Sequence, residues 1–174
     1  MDSQYAVLGT IVKAVGLKGE VKLLPGYDFW PESLNASGHE LVSDGTVCRE
    51  VSIERYRTKG GTYILRLSDI DSIDKAESLI GLELRISLDG LEEEVRPSRL
   101  LPCQLMGFSV LLSDGSCLGT VVDMLIGNSQ NCFIVEGGSE RYLIPDVGEV
   151  VRSVNPDERT MEVNPPQGLL DFKW

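Results

Sequence analysis

The chain has 174 residues, of which 42% are hydrophobic and 25% charged. This length allows one domain or two small ones, and the composition excludes a disordered chain. The net charge is -11, with 10 basic against 17 acidic residues over 1–95 and 6 against 10 over 96–174. Neither part is a basic module that could hold nucleic acid over a broad cationic face, and the acidity suits a basic protein partner.

Residue types that carry catalysis or bind metals are sparse. The four cysteines form no C-x-x-C motif, and His39 is the only histidine, in the polar segment 37–39. This pattern argues against a zinc site and favours small buried thiols in a reducing compartment. The sequence contains no glycine-rich phosphate loop. We expect His39 to be a surface residue. The sequence therefore predicts binding without catalysis, with no metal and no cofactor.

The sequence also lacks features of secretion or membrane insertion. The N-terminal residues do not form a basic segment followed by an apolar one, as a signal peptide would. The longest apolar region, residues 100–112, is interrupted by polar residues and is too short to span a bilayer. We expect a cytoplasmic protein. Nothing in the sequence requires a dimer, so we expect a monomer.

The first half of the chain reads as a series of short strands. Val7 to Val12 and Glu20 to Leu24 are rich in β-forming residues, and the segment 16–19 predicts a hairpin turn. An aromatic loop around Trp30 follows, which we expect to close one end of a barrel; the alternative is an exposed anchor for a partner. Further strands are predicted at 40–42, 47–54, 64–67 and 82–86, with a helix at 72–80. A small barrel is implied, because an open sheet would leave unpaired edges.

Positive charge in this half gathers around two predicted hairpins. One group surrounds the first turn and the other is the densest basic cluster of the chain. The residues are Lys13, Lys18 and Lys22 in the first group and Arg55, Arg57 and Lys59 in the second. They are either solvated charges at hairpin tips or a local contact to RNA phosphates.

A change in composition separates the two halves. Residues 89–99 contain Gly90, the acidic run 92–94 and Pro97, which are typical of a linker. Strands are then predicted at 108–112, 117–124, 131–136, 141–144 and 161–163, while residues 147–154 fit a helix or a strand. Two prolines at 165–166 predict a tail that docks Leu169 and Leu170 on the outside. We therefore predict an all-β chain of two small barrels with short helices, at 1–88 and 100–174.

Short motifs in both halves resemble one known family, in the same order. The first is G-x-I-x-x-x-x-G-L-x-G-E-V at residues 9–21. The others are L-[IM]-G at 105–107, D-G-x-x-L-G-x-V at 114–121, L-I-P at 143–145 and P-P-x-G-L-L at 165–170. Each motif is short, but the ordered set resembles the RimM family of ribosome maturation factors from Gly9 to Leu170.

The resemblance implies a translation-factor-like N-terminal barrel followed by a PRC barrel. It also implies a non-catalytic assembly factor that acts on the head of the small ribosomal subunit. Such a factor binds the small-subunit ribosomal protein nineteen and promotes processing of the small-subunit rRNA. The acidic composition fits this role, because a negative surface attracts a basic ribosomal protein.

Two rival interpretations remain open. One is a direct rRNA-binding module that uses the basic hairpin tips at residues 13–22 and 55–59. Its binding would weaken steeply with salt, because phosphate contacts release counterions. The other is a PRC-type adaptor unrelated to ribosomes, or an enzyme without a known motif.

The sequence departs from the family at the start of the second half. The family has an aromatic pair in Y-Y-x-x-D-L-x-G, an element implicated in ribosome association. Here Leu100 and Leu101 keep apolar bulk but lose the hydroxyl groups and aromatic rings, and Gln104 replaces the acid. The resemblance places partner-binding candidates at Leu100, Leu101, Leu105 and Gly107, with the contacts of this element altered.

Overall fold

The computed structural model describes residues 4–173, which fold into two compact units. The first unit ends at Cys103 and the second begins at Gln104. Strands dominate both units, so the predicted fold class, all-β with two small barrels and short helices, is confirmed. Over residues 4–173, no helix is both long and apolar enough to cross a membrane.

Seven antiparallel strands build the first unit, in the spatial order β4-β3-β7-β1-β2-β6-β5. They are β1 (Tyr5–Val15), β2 (Glu20–Pro25), β3 (His39–Ser43), β4 (Thr46–Val51), β5 (Ile53–Lys59), β6 (Thr62–Leu67) and β7 (Glu83–Ser87). The two ends of this order, β4 and β5, are separated in the chain by Ser52 alone, and the Ser52 carbonyl accepts a 2.9 Å hydrogen bond from the Ser68 N–H. The chain therefore passes at Ser52 from one end of the strand order to the other, where the sequence predicted one continuous strand.

The core of the first unit is filled from alternate positions of its strands. Ala6 and Leu8 of β1 and Val21 and Leu23 of β2 are fully buried, as expected when successive side chains point to opposite faces. The helix α1 (Ile73–Glu77) is shorter than predicted, and Ser72 is its N-cap. The Ser72 hydroxyl accepts a 3.3 Å hydrogen bond from the Lys75 N–H, which satisfies one unpaired donor of the first turn.

The predicted linker packs against the first barrel. Leu91 and Val95 belong to the same core as the strands, and so does Leu101. The Trp30 indole N–H donates a 2.7 Å hydrogen bond to the Val95 carbonyl, beside a short 3-10 helix at Glu93–Val95. These contacts group residues 89–103 with the first unit. The predicted domain limits, 1–88 and 100–174, stay a prediction until fragments are compared.

Six strands build the second unit, in the order β11-β10-β9-β8-β13-β12. They are β8 (Ser109–Leu112), β9 (Cys117–Leu125), β10 (Cys132–Gly137), β11 (Glu140–Pro145), β12 (Val151–Asn155) and β13 (Thr160–Val163). Only β13 and β8 are parallel among the described pairs, and Phe108, Phe133 and Met161 are buried inside. The tail lies against β11 through a 3-10 helix at Leu169–Asp171, which leaves Leu169 and Leu170 half-buried.

Two expectations about side-chain burial are wrong. His39 begins β3 and is fully buried, because it pairs with β4 on one side and β7 on the other. Cys48 and Cys117 are exposed. Cys48 lies on β4, where all residues but Val51 are exposed. In both cases the strand position, rather than residue type, decides burial.

Candidate functional site

Six basic side chains of the first unit lie on the outer face of β1, β2, β6 and β5. The strand register places Lys13 opposite Lys22. Lys22 and Arg57 then flank Ile64 from its two sides, so one row crosses all four strands. Paired residues of antiparallel strands share a face of the sheet. We call this set the basic face, and its members are Lys13, Lys22, Arg55, Arg57, Lys59 and Arg66.

Most of the basic candidates chosen from the sequence belong to this face. The exception is Lys18, which lies in the exposed turn after β1 and whose carbonyl accepts a hydrogen bond from the Arg66 guanidinium. The sequence interpretation placed these charges at hairpin tips. Arg55 and Arg57 instead lie within β5. The structure thus brings charges from two hairpins together on one sheet face.

The basic face contains two pairs of like charges directly across from each other. Lys13 lies opposite Lys22, and Arg55 lies opposite Arg66. Like charges in this arrangement destabilise a sheet by a few tenths of a kcal/mol to about 1 kcal/mol. Folding alone does not favour such pairs in a chain with a net charge of -11. The arrangement is therefore a candidate binding surface for an anion such as phosphate.

One acidic residue, Glu20 of β2, lies within the basic face. Its carboxylate accepts hydrogen bonds of 2.9 and 3.1 Å from one nitrogen of Arg57, and Arg55 lies 3.9 Å away. The side chain of Glu20 is 17% exposed, whereas those of Arg57 and Arg55 are 55% and 72% exposed. The guanidinium groups thus face solvent above the carboxylate. Arg57 keeps other N–H donors that can bind a phosphate oxygen.

Arg66 is the member of the basic face that the sequence analysis missed. Its position between the buried residues Leu65 and Leu67 is a local signal that its side chain points outward. Its neighbour Arg55 comes from another strand, across a register shift at Ile53/Arg55. That shift could not be read from the sequence. A carboxylate of Glu54 lies 3.6 Å from Arg66.

The partner-binding candidates of the second half lie around the helix α2 (Pro102–Leu105). Leu101 and Leu105 are only 3% and 7% exposed, and Leu101 belongs to the core of the first unit. Leu100 is half-buried and Gly107 is exposed. Only Leu100 and the backbone at Gly107 are therefore accessible to a partner in this conformation.

Gly107 also has a structural role in the second unit. Its φ is +81°, and an added Cβ would lie 3.2 Å from the Arg159 guanidinium. That guanidinium donates a 3.0 Å hydrogen bond to the Met106 carbonyl and lies 5.1 Å from the centre of the Phe108 ring. The L-x-G motif thus fixes the entry to β8 against Arg159.

A buried acid holds the start of α2. Asp28 is 6% exposed, and its carboxylate accepts a 2.9 Å hydrogen bond from the Cys103 N–H. Burial raises the pKa of Asp28, while the hydrogen bonds from Cys103 oppose this shift. Among residues 4–173, no three His, Cys, Asp or Glu side chains come together as a metal site would require. The acid thus has a positioning role.

Comparisons with known proteins cover nearly the whole chain. The model of the RimM N-terminal domain matches residues 6–91, and that of the RimM PRC barrel domain matches residues 102–169. A ribosome maturation factor RimM from Caldicellulosiruptor bescii is 32% identical over 97% of this chain and 99% of its own. One from Clostridioides difficile is 29% identical over 94% and 95%. A crystal structure of RimM from Pseudomonas aeruginosa covers 97% of this chain and 99% of its own, with 25% identity and a TM-score of 0.45. The two family models and the relative from Caldicellulosiruptor bescii confirm the resemblance of the sequence motifs, and the chain belongs to the RimM family of ribosome maturation factors.

Proposed function

We propose that this protein is a non-catalytic assembly factor of the small ribosomal subunit, acting in the cytoplasm as a monomer without a cofactor. It binds the small-subunit ribosomal protein nineteen in the head of the maturing subunit and promotes processing of the small-subunit rRNA. The observation that carries the proposal is the match of both family domains along the chain. The net charge of -11 supports a basic ribosomal protein as partner.

The mechanism follows from binding alone. A factor that binds one arrangement of ribosomal protein and rRNA more tightly than others shifts the assembly equilibrium toward that arrangement. The segment 100–107 is one proposed contact with protein nineteen. In it, Leu100 and the backbone at Gly107 are accessible, while the buried Leu101 and Leu105 hold its path.

Calorimetric titration of the purified chain tests this function. The chain is titrated with protein nineteen, with a second ribosomal protein of matched size and charge, and with an rRNA fragment of the subunit head, each at two salt concentrations. We expect selective binding to protein nineteen that persists at the higher salt. Equal affinity for both basic proteins would reduce the interaction to nonspecific charge attraction and reject the proposed partner.

A second candidate function, direct binding of rRNA, is favoured by the basic face. The like-charge pair Lys13 with Lys22 destabilises the sheet and would be relieved by a bound phosphate, whereas Arg55 and Arg66 already lie near the carboxylates of Glu20 and Glu54. Binding through phosphate contacts weakens as the salt concentration rises. For single strands, the logarithm of the affinity falls with the logarithm of the salt concentration, with a slope of about -0.7 for each phosphate contact. Binding to the rRNA fragment with such a slope would support this candidate, and no binding at low salt would reject it.

A further inference from the structure

A small recess lies on the basic face of the first unit, between β2, β5 and β6. Its volume is about 230 Å³. The residues that line it are Glu20, Arg55, Tyr56, Arg57 and Ile64. The strand register places Ile64 between Lys22 and Arg57, so it faces outward with them, yet it is only 1% exposed. The recess thus has an apolar floor beneath charged walls.

Glu20 supplies a carboxylate to this recess. Its two oxygens accept hydrogen bonds from a single nitrogen of Arg57, and the nearest nitrogen of Arg55 is 3.9 Å away. A carboxylate offers about four acceptor positions, so positions remain for the N–H groups of a ligand. A carboxylate also repels phosphate. A surface that bound only the RNA backbone would therefore be weakened by an acid at this place.

Nucleobases carry the N–H donors that such a carboxylate accepts. Guanine has two adjacent donors on its Watson–Crick edge, a ring N–H and an amino group, and they match the two carboxylate oxygens. Adenine and cytosine have one amino group on this edge, and the ring N–H of uracil lies between two carbonyl oxygens that a carboxylate repels. Proteins read these edges on unstacked bases of single-stranded RNA. The acid therefore favours guanine.

The surrounding cations suit the other parts of an RNA strand. Arg55 is 72% exposed, and a planar guanidinium stacks on a base. Lys22 lies beside Ile64 in the same row, and Lys59 lies two positions beyond Arg57 on β5, which places it on the same face. Both lysines can bind phosphates on either side of the recess. A strand of several nucleotides therefore fits this surface better than a free nucleotide.

We propose that the recess binds an unstacked guanine of a single-stranded RNA segment. The Glu20 carboxylate accepts hydrogen bonds from the two guanine donors, Arg55 stacks on the ring, and the lysines bind the neighbouring phosphates. The inference rests on the second candidate function, the direct binding of rRNA. It adds a base preference to a surface that otherwise binds any RNA backbone.

Fluorescence anisotropy with short labelled RNAs of equal length tests the base preference of the full chain. One RNA contains only uridine and the other carries one central guanosine. We expect the second to bind at least about fivefold more tightly, as for a weak bidentate contact to a base. Inosine in place of the guanosine, which lacks the amino group, should remove most of this preference. Guanosine monophosphate should bind far more weakly than the RNA, and equal affinity would reject an RNA site in favour of a free nucleotide.

Two variants that remove the same charge assign the preference to Glu20. Glu20→Gln keeps the size of the side chain but has a single oxygen acceptor, so the two RNAs should bind with similar affinity. Because the basic face loses a negative charge, the uridine RNA should bind more tightly than it does to the unaltered chain. Glu54→Gln removes a carboxylate 3.6 Å from Arg66, away from the recess. It should strengthen binding of both RNAs and keep the preference for guanosine.

The outcomes separate the base preference from RNA binding itself. If neither RNA binds the unaltered chain at low salt, the second candidate function is rejected and the inference with it. If both RNAs bind with equal affinity that falls with salt, RNA binding stands and the guanine site is overturned. A preference that persists in Glu20→Gln would also overturn it. Thermal unfolding of both variants shows that a lost preference does not arise from unfolding.

Discussion

His39 is a buried titratable group at the start of β3. Its Nε2–H donates to the Ser33 carbonyl at 2.9 Å, while Nδ1 has no hydrogen-bond partner among the described residues. Burial lowers the pKa of His39 below its ordinary value of 6.5. Between the folded and unfolded pKa values the unfolded state binds more protons. The burial of neutral His39 therefore does not reduce the free energy of unfolding above about pH 6.5. As the pH falls below this value, the free energy of unfolding decreases.

We predict that His39 causes most of the pH dependence of stability between pH 5 and pH 7. The unaltered chain should lose stability toward pH 5, with a slope no steeper than about 1.4 kcal/mol per pH unit, the limit for one proton. His39→Gln, which keeps an N–H donor for Ser33, should flatten the slope, because the chain has no other histidine. Urea denaturation at several pH values between pH 5 and pH 7 measures the free energy of unfolding and hence the slope. The raised pKa of Asp28 has the opposite effect on the slope, because an acid with a raised pKa in the folded state favours folding at lower pH. Asp28→Asn therefore serves as the control. An unchanged slope in His39→Gln would contradict the assignment.

The two glycines of the first turn offer a matched pair of substitutions. Gly16 and Gly19 have φ of +67° and +83°, so alanine at either position meets left-handed strain of about 1–2 kcal/mol. A Cβ at Gly19 would also lie 2.6 Å from the Ile70 carbonyl oxygen and 2.8 Å from the Ser72 nitrogen, whereas nothing lies near Gly16. We predict that Gly19→Ala destabilises the first unit more than Gly16→Ala by urea denaturation. Equal losses would contradict the close packing of this turn.

At the scale of the strands, the basic face predicts opposite effects on stability and on binding. Lys22→Gln removes the like-charge pair with Lys13 and should stabilise the first unit by a few tenths of a kcal/mol to about 1 kcal/mol. The same change should weaken binding to the rRNA fragment. It should also reduce the steepness of the plot of log affinity against log salt concentration by about 0.7. Lys75→Gln on α1 changes the net charge equally but breaks an ion pair with Asp71, so it should not stabilise the chain. Loss of stability in Lys22→Gln, or unchanged RNA affinity, would argue against a phosphate-binding face.

The strands themselves could be predicted from the sequence, but their neighbours could not. Alternation of apolar and polar residues is local, so it located β6, although Arg66 on that strand was not chosen as a candidate. Which residues lie side by side depends on register across the sheet, including shifts such as that at Ile53/Arg55. For the same reason His39 was expected at the surface, although the neighbouring strands β4 and β7 bury it. Candidate charges could therefore be named, whereas the face they form required the structure.

At the scale of the whole chain, composition and contacts give different limits for the first unit. The acidic, glycine-containing segment 89–99 has the composition of a linker, but composition does not show what a few apolar residues contact. Leu91 and Val95 are buried, and the Trp30–Val95 hydrogen bond joins residues 65 positions apart. Contacts over that distance along the chain leave no local pattern. Fragments that end before and after this segment distinguish the two limits.

We predict that a fragment of residues 1–103 unfolds cooperatively and that a fragment of residues 1–88 does not. The shorter fragment lacks Leu91, Val95 and Leu101, which are buried in the core, and each buried aliphatic side chain contributes about 1.5–3 kcal/mol. It also leaves the Trp30 N–H without the Val95 carbonyl, at a cost of about 1–3 kcal/mol. Together these losses are comparable with the whole stability of a small domain, about 5–15 kcal/mol. Urea denaturation followed by tryptophan fluorescence measures both fragments. Equal midpoints would establish residue 88 as the limit of the first domain, whereas loss of the transition in the shorter fragment would make residues 89–103 part of its fold.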